Sequence, residues 1–209
     1  METEQLAIFN EQMERIGTRS RAEVHAQGLW HQTFQCWFLQ SVQDKQTLLF
    51  QRRAACKKDF PNLLDITAAG HLLADEEPRD GVREIQEELG LSLKYTELIP
   101  AGVIQDQLVF EHFKDREFCH LYFYHLQQDI AELILQKEEV ASIVQFAILD
   151  CIRLFQHQTT TITGLEYSPT VTGGTLTPSI KDFTPADFCP HNPHYYAQVF
   201  ADAQKYSFR

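Results

Sequence analysis

The apolar positions in the first quarter of the chain predict short β-strands separated by polar turns. Residues 5–9 are largely apolar, and a turn is expected over residues 10–17. Residues 33–39 (TFQCWFL) combine β-branched and aromatic side chains, which favour the strand conformation. A polar turn at residues 43–46 separates them from residues 47–51 (TLLFQ). The pattern therefore predicts a β-hairpin.

Two segments have the composition of loops. Residues 19–31 mix polar and apolar side chains without a clear period. Residues 156–181 are rich in Thr, Ser, Gly and Pro, which predicts a long loop or lid.

One helix is bounded by residues with well-known positional preferences. Pro78 suits the first turn of a helix, because its missing N–H needs no partner there. Gly90 suits the position just past the C-terminus. The pattern predicts a helix from Pro78 to Leu89, preceded by an extended segment at residues 64–73 that Gly70 interrupts.

In the remaining segments, the spacing of apolar residues is typical of strands in some places and of helices in others. They predict strands at residues 98–104, 107–113 and 117–125, a short strand and a helix within residues 138–155, and a final helix at residues 195–206. Strands before and between helices indicate one α/β domain with a mixed sheet.

Composition narrows the class of protein. A chain of 209 residues can form one good core and is rather short for two. Its 44% hydrophobic and 22% charged residues are typical of globular proteins. No stretch approaches the roughly 18 apolar residues of a membrane span. The N-terminus is acidic and lacks a signal-peptide pattern. We therefore expect a cytoplasmic protein that does not enter a membrane.

The cysteines support the same compartment. There are five, an odd number, and no two form a CxxC pair, so a disulfide framework is not expected. We expect all of them to be small buried side chains. They are Cys36, Cys56, Cys119, Cys151 and Cys189.

The net charge of -11 argues against nucleic acid as a partner, because that binding depends on Lys and Arg side chains. It is compatible with a small phosphorylated substrate, since a metal ion can bridge an acidic protein and an acidic ligand.

The predicted helix carries three carboxylates on one face. Glu84, Glu87 and Glu88 are spaced i, i+3 and i+4. Like charges at this spacing repel, and a divalent cation with a preference for hard oxygen ligands relieves the repulsion. Mg²⁺ is the expected cofactor, with Mn²⁺ as the alternative. A solvated acidic surface remains the competing interpretation of the helix alone.

The surrounding residues resemble the Nudix box. The segment REIQEELGL, residues 83–91, matches every specified position of the second half of that motif. In the first half, Gly70 and Glu76 have the usual spacing, but six residues instead of seven separate Glu76 from Arg83. The shortened loop leaves the role of Glu76 open.

The resemblance implies a fold, an activity and a set of residues. The implied fold is an α/β/α sandwich with a mixed central sheet, with residues 1–155 as the Nudix domain and 156–209 as an extension packed on it. The implied activity is metal-dependent hydrolysis of a diphosphate linkage in a nucleotide or other organic diphosphate. The implied metal ligands are Glu84, Glu87 and Glu88, with Arg83 as the ion-pair partner of a box carboxylate.

The sequence is also similar to the Nudix branch that contains type I isopentenyl-diphosphate isomerase, through residues 28–39, 48–54 and 60–72. Ala69 stands at the position of that enzyme's proton-transferring cysteine, and alanine cannot transfer a proton. The resemblance makes His25, His31, His71, Asp115 and Glu117 counterparts of the isomerase's metal ligands.

Further candidate site residues are indicated by the same resemblance and by their charged side chains. Glu138 and Glu139 resemble the acid after the box that serves as a base or extra ligand. Arg52 and Arg53 could contact a phosphate, although neighbouring strand residues face opposite sides. We interpret His25 as an ordinary half-buried histidine. His31 and His71 are either metal ligands or phosphate contacts, or ordinary half-buried histidines. The tail, with residues 183–185 and 195–196, either caps the site or forms a homodimer contact.

Three functions remain open at this point. The first is a Nudix hydrolase of a small-molecule diphosphate. The second is an isopentenyl-diphosphate isomerase relative, in which Cys36 or Cys56 would replace the missing cysteine. The third is a non-catalytic binding module, which the shortened box loop favours and the three carboxylates disfavour.

Overall fold

The computed structural model describes residues 4–110, 113–170 and 174–206. The strands are β1 (Gln5–Phe9), β2 (Arg15–Ser20), β3 (Trp30–Val42), β4 (Lys45–Arg53), β5 (Leu64–Ile66), β6 (Ala68–His71), β7 (Ile99–Phe110), β8 (Phe113–His125), β9 (Val140–Ala147), β10 (Ile162–Ser168) and β11 (Thr177–Phe183). The helices are α1 (Arg21–Gln27), α2 (Arg83–Leu89), α3 (Ile148–Phe155) and α4 (Tyr195–Tyr206).

The central strand of the sheet is β3. Along one edge it pairs with β8 in parallel, and along the other it pairs antiparallel first with β6 and then with β4. The main path through the sheet is β11-β10-β9-β4-β3-β1-β2, with β7 joined to β8 and β5 joined to β4. One parallel pair among antiparallel pairs makes this the mixed sheet that the sequence predicted.

Side chains on the central strands alternate between two cores, because successive strand residues point to opposite faces. Trp37 and Leu39 of β3 enter one core, with side chains of α3 and α4. Phe34 and Phe38 enter the other, where Ile85 of α2 packs. Helices cover both faces of the sheet, which confirms the predicted α/β/α architecture.

The predicted loop over residues 156–181 is wrong in part, because it contains a β-hairpin. β10 pairs with β9, and β11 pairs with β10. Thr-rich segments form strands readily when a sheet edge is available, and only the folded chain provides that edge.

The loop-like prediction for residues 19–31 missed α1, although the sequence carries its signal. Ser20 and Glu23 form a reciprocal capping box, and Gly28 ends the helix in the left-handed conformation with φ of 64°. Capping residues decide the conformation here because the helix has only seven residues.

Three other boundaries of helices and strands differ from those predicted. Asp80–Val82 forms a 3₁₀ turn and α2 begins at Arg83, so Pro78 does not open the helix. The segment at residues 64–73 breaks at Thr67 rather than at Gly70. Two long strands, β7 and β8, replace the three short strands predicted over residues 98–125.

Four of the five cysteines are buried, as predicted, and Cys56 is exposed. In the part of the chain that the structure describes, no helix has the length and apolar character that crossing a membrane requires.

Candidate active site

A cleft of about 780 Å³ opens beside β6 and α2. Carboxylates in its lining outnumber Lys and Arg side chains by twelve to four. The carboxylates are Glu4, Asp59, Asp65, Glu76, Glu84, Glu87, Glu88, Asp106, Asp115, Glu117, Glu138 and Glu139, and the basic residues are Arg21, Arg53, Lys57 and Arg83. A cleft this acidic suits cations, or an anionic ligand accompanied by cations.

Gly70 allows the box helix to approach the sheet closely. A Cβ atom built on Gly70 would stand 2.0 Å from Glu84 Oε1, so any side chain there would displace the carboxylate. At the other end of the helix, Gly90 adopts a φ of 67° and closes α2, as its position in the sequence predicted. The two box glycines thus fix where Glu84 lies and where the helix ends.

Arg83 connects the two halves of the box in spite of the shortened loop. Its Nε and Nη2 donate to the two carboxylate oxygens of Glu76, at 2.6 and 3.0 Å. Its Nη1 donates to Glu84 Oε1 at 2.6 Å, and its Nη2 to the backbone oxygen of His71 at 3.1 Å. Glu76 therefore serves as the bidentate partner of Arg83, which answers the question that the sequence left open.

The half-buried Glu84 and the buried Glu88 lie in the cleft wall, where ionising a carboxyl group is unfavourable. Burial raises the pKa of Glu84 to about 7, and Glu87 adds to the effect while Arg83 opposes it. Burial and the neighbouring Glu84 raise the pKa of Glu88 well above its usual range. Glu88 Oε2 accepts from the backbone N–H of Ala69 at 3.0 Å, which orients it. A bound cation would remove the cost of charging both groups.

The three box carboxylates do not converge on one point. Glu84 accepts from Arg83 Nη1 at 2.6 Å, and Glu88 accepts from the backbone N–H of Ala69 at 3.0 Å. The side chain of Glu87 is 54% exposed and reaches the same Arg83 nitrogen only at 3.5 Å. Within residues 4–110, 113–170 and 174–206, the ligand-type side chains whose donor atoms do lie within 4.8 Å of one another form two groups. These are His25, His31 and His71, and His31, Asp115 and Glu117.

The three histidines face one another. The Nε2 atoms of His25 and His71 are 3.2 Å apart, and the rings of His31 and His71 stack with centroids 5.0 Å apart. Burial lowers the pKa of His31 to about 4 and the pKa of His71 well below its usual value. Neutral imidazoles are good ligands for divalent metals. The structure thus brings together residues that are up to 46 positions apart in the chain.

His31 provides a test of whether a cation fits. Its Nδ1 lies 3.0 Å from the backbone oxygen of Leu29, and since a carbonyl only accepts, Nδ1 carries the proton. The lone pair of Nε2 then faces Asp115 Oδ1 at 3.6 Å and Glu117 Oε1 at 3.8 Å. His31 Nε2 and Asp115 Oδ1 are both buried without a hydrogen-bond partner among the described residues. Opposed acceptors of this kind fit a cation between them.

The two neighbouring arginines lie on opposite sides, as strand geometry requires. Arg53 lines the cleft, where its Nη1 donates to Asp65 Oδ2 at 2.7 Å. Arg52 is not among the lining residues, and its Nε donates to Glu166 Oε1 at 2.7 Å. The structure thus places Arg53 with the box and directs Arg52 to the β10–β11 hairpin.

We expect the Glu166 ion pair to contribute measurably to stability. Arg52, Lys181 and Ser142 lower the pKa of the buried Glu166 carboxyl to about 2 against the effect of burial. Glu166→Gln should destabilise the protein by about 3 kcal/mol at pH 7, because it leaves these partners without their acid. A lowered pKa stabilises above the ordinary value near 4.5, so the difference should disappear as pH falls through about 2.

Urea unfolding of both proteins at several pH values would measure this difference. The exposed Glu132→Gln serves as the control. A pH-independent difference between wild type and Glu166→Gln would contradict the ion-pair explanation.

Glu139 lines the cleft and forms an ion pair with Lys57. Glu138 lines it as well, and its backbone oxygen accepts from the Cys56 thiol at 3.3 Å. The post-box acids and Lys57 therefore line the same cleft as the box helix.

The isomerase-like alternative requires a thiol in the cleft. Cys36 is buried in the core beneath α2, and Cys56 does not line the cleft. Cys189 does line it, but burial and the neighbouring Asp65 raise the pKa of its thiol. No signal in the sequence identified Cys189, Asp65, Asp106 or His191 as cleft residues, because they come from separate segments.

Comparisons with known proteins show the family of the chain. Residues 29–160 match the NUDIX domain family. A Nudix hydrolase of uncharacterised function from Clostridium acetobutylicum is 38% identical over 199 residues, covering 95% of this chain and 96% of that protein. An isopentenyl-diphosphate Δ-isomerase from Aliivibrio fischeri is 31% identical over 108 residues, covering 51% of this chain and 55% of the isomerase. The crystal structure of DR0079 from Deinococcus radiodurans has a TM-score of 0.54 at 17% identity, covering 72% of this chain and 88% of that one.

These matches and the box define the class of the protein as an α/β/α Nudix enzyme. The chain belongs to the Nudix family and is a Nudix hydrolase, an enzyme that acts on pyrophosphate bonds.

Proposed function

We propose that the protein is a Mg²⁺-dependent hydrolase of a small organic diphosphate, such as a nucleotide derivative. The observation that carries the proposal is the position of two box carboxylates, the half-buried Glu84 and the buried Glu88, in the same cleft as Arg53 and Lys57. A diphosphate substrate requires both kinds of group: carboxylates that bind a metal cation and cationic side chains that bind phosphate.

The chemistry of the donors, rather than the present positions of the box carboxylates, supports two cation sites. The oxygen ligands of Glu84, Glu87 and Glu88 suit Mg²⁺, as hard oxygen ligands do in general. The second group combines the imidazoles of His25, His31 and His71 with the carboxylates of Asp115 and Glu117. This mixture suits a transition metal, since imidazole favours Zn, Fe or Ni and carboxylate favours Mn²⁺. When bound, such cations neutralise charge on the phosphates and make a water ligand more acidic.

The protein's own residues have separate tasks in this proposal. Arg53 binds a phosphate group through the guanidinium donors that Asp65 leaves available. Lys57 holds Glu139 in the cleft and balances its charge. Glu139 accepts the proton that the attacking water releases, which an ionised carboxylate near the box can do. Arg83 keeps Glu84 from rotating away.

A substrate panel tests the proposed hydrolysis. The protein should release phosphate or pyrophosphate from at least one compound among nucleoside di- and triphosphates, nucleotide sugars, dinucleotides and isoprenoid diphosphates. The release should require Mg²⁺ or Mn²⁺ and stop with a chelator. A protein that is folded and metal-loaded, yet releases nothing from the whole panel, would not be the hydrolase proposed here.

A second candidate is isomerisation of isopentenyl diphosphate, favoured by the His31, Asp115 and Glu117 group and by the similarity to the Aliivibrio fischeri isomerase. It requires a proton donor in place of a thiol at Ala69. Deuterium uptake from heavy water into isopentenyl diphosphate would establish this activity, and its absence would remove the candidate. Tight nucleotide binding without metal or turnover would instead favour a binding module.

A further inference from the structure

The C-terminal segment beyond the matched domain is fastened to the sheet next to the cleft. The backbone N–H of Cys189 donates to Leu64 of β5 at 2.7 Å, and the Tyr196 hydroxyl donates to the backbone oxygen of Cys189 at 2.9 Å. The Tyr195 hydroxyl donates to Gln35 Oε1 of β3 at 2.5 Å. These buried bonds fix the position of His191, which lies between them in the chain and lines the cleft.

His191 lies between two aspartates from different strands. Its Nδ1 is 2.6 Å from Asp106 Oδ2 of β7, and its Nε2 is 3.6 Å from Asp65 Oδ1 of β5, an ion-pair distance rather than a hydrogen bond. The ring stacks on Tyr195 with centroids 4.0 Å apart. Asp106 is further fixed by the backbone N–H of Asn192 at 2.8 Å. The imidazole is therefore held on both sides and on one face.

The bridge between the two aspartates requires a charged imidazole. Burial alone would lower the pKa of His191, but the carboxylates of Asp106 and Asp65 outweigh burial and raise the pKa to about 9. At neutral pH a cation therefore lies between the two acids. Because its side chain is only 9% exposed, His191 acts on its neighbours rather than on a ligand in the cleft.

One of those neighbours, Asp65, is hydrogen-bonded to Arg53. Asp65 uses Oδ2 to accept from Arg53 Nη1 at 2.7 Å, while Oδ1 accepts from the backbone N–H of Ile66 at 2.9 Å and faces His191. Arg53 Nε is bound to the backbone oxygen of Asp59 at 3.1 Å. A guanidinium has five N–H donors, so others are left for a ligand in the cleft.

We propose that His191 is a positioning residue, which bridges Asp106 and Asp65 and so holds Arg53 where it binds a phosphate group of the substrate. The inference rests on the proposed diphosphate substrate. It makes the C-terminal segment, outside the matched residues 29–160, a working part of the site.

Steady-state kinetics and calorimetry test the positioning role. His191→Gln, which keeps a polar side chain but removes the charge, should raise KM about 10-fold, as losses of orienting partners typically do. The Kd of imidodiphosphate with Mg²⁺, a non-hydrolysable probe, should rise by the same factor. By contrast, kcat should stay within about threefold of wild type, since the bridge supports binding rather than the chemical step.

Arg53→Lys and the double variant decide whether the effect passes through Arg53. If it does, adding His191→Gln to Arg53→Lys should weaken imidodiphosphate binding little further, because coupled residues are not additive. The exposed His194→Gln is the matched control and should leave KM and Kd unchanged.

Several outcomes would overturn the proposal. These are a folded His191→Gln protein with unchanged KM and Kd, a loss confined to kcat, additive effects in the double variant, or a wild type that does not bind imidodiphosphate. If His191→Gln does not fold, Asp106→Asn loosens the imidazole from its other side, and unchanged KM and Kd there would be equally decisive. If the wild type hydrolyses no substrate, the proposed function fails, while the imidodiphosphate comparison still decides the role of His191.

Discussion

Replacing Glu87 or Glu88 by Gln should lower the kcat/KM of Mg²⁺-dependent hydrolysis by at least about 100-fold. Losing a group that merely orients a metal ligand costs about 10- to 100-fold, and losing a ligand should cost more. The variants should fold normally. At Glu88 the free energy of unfolding without metal should stay the same or rise, because a neutral amide replaces an acid whose burial raises its pKa.

Glu77→Gln is the matched control, since Glu77 lies just before the box helix with its side chain 67% exposed. Ala69→Cys is a second control, which restores only the isomerase-like residue and should change hydrolysis little. Activities would be measured over a Mg²⁺ titration. If both Glu87→Gln and Glu88→Gln keep near-normal, Mg²⁺-dependent activity, the box carboxylates are not the metal site.

Gly70→Ala should lower kcat/KM by a similar factor, because the added methyl group would clash with Glu84. The new Cβ would stand 2.0 Å from Glu84 Oε1, so the carboxylate or the strand must move. A displacement of about 1 Å at a catalytic site costs on the order of 100-fold in rate. Overpacking of this kind also destabilises a protein by about 1–3 kcal/mol. Kinetics and urea unfolding on the same samples measure both effects.

Gly17→Ala is the control for the effect of replacing a glycine by alanine where no clash results. Gly17 lies in a strand, and a Cβ there would meet ordinary contacts at 3.7 Å. This variant should keep full activity. Full activity in Gly70→Ala would show that Glu84 does not need its position against β6, and would remove it from the proposed metal ligands.

Local patterns in the sequence were enough to predict the box and much of the secondary structure. The carboxylate spacing on α2 and the closing Gly90 depend on residues within one or two helical turns. The strand predictions for β1, β3 and β4 depend on side-chain chemistry within each segment. These features need no knowledge of distant contacts. The missed helix α1 belongs with them, because its capping box is visible in Ser20 and Glu23.

The residues that form the cleft could not be predicted from local patterns, because contacts between distant segments bring them together. His25 and His71 meet across 46 positions, and His191 reaches Asp106 across 85. The separation of Arg52 from Arg53 by the two sheet faces and the pairing of β10 with β9 also depend on which distant strands become neighbours.

The sequence by itself determined the Nudix box, its helix and the family, because helix periodicity and box spacing are properties of adjacent residues. Only the tertiary structure decided which acids are buried, which arginine enters the cleft and which histidine comes from the C-terminal segment. The reason is physical: burial and ion pairing depend on which strands become neighbours in the sheet, and that pairing is a property of the whole chain.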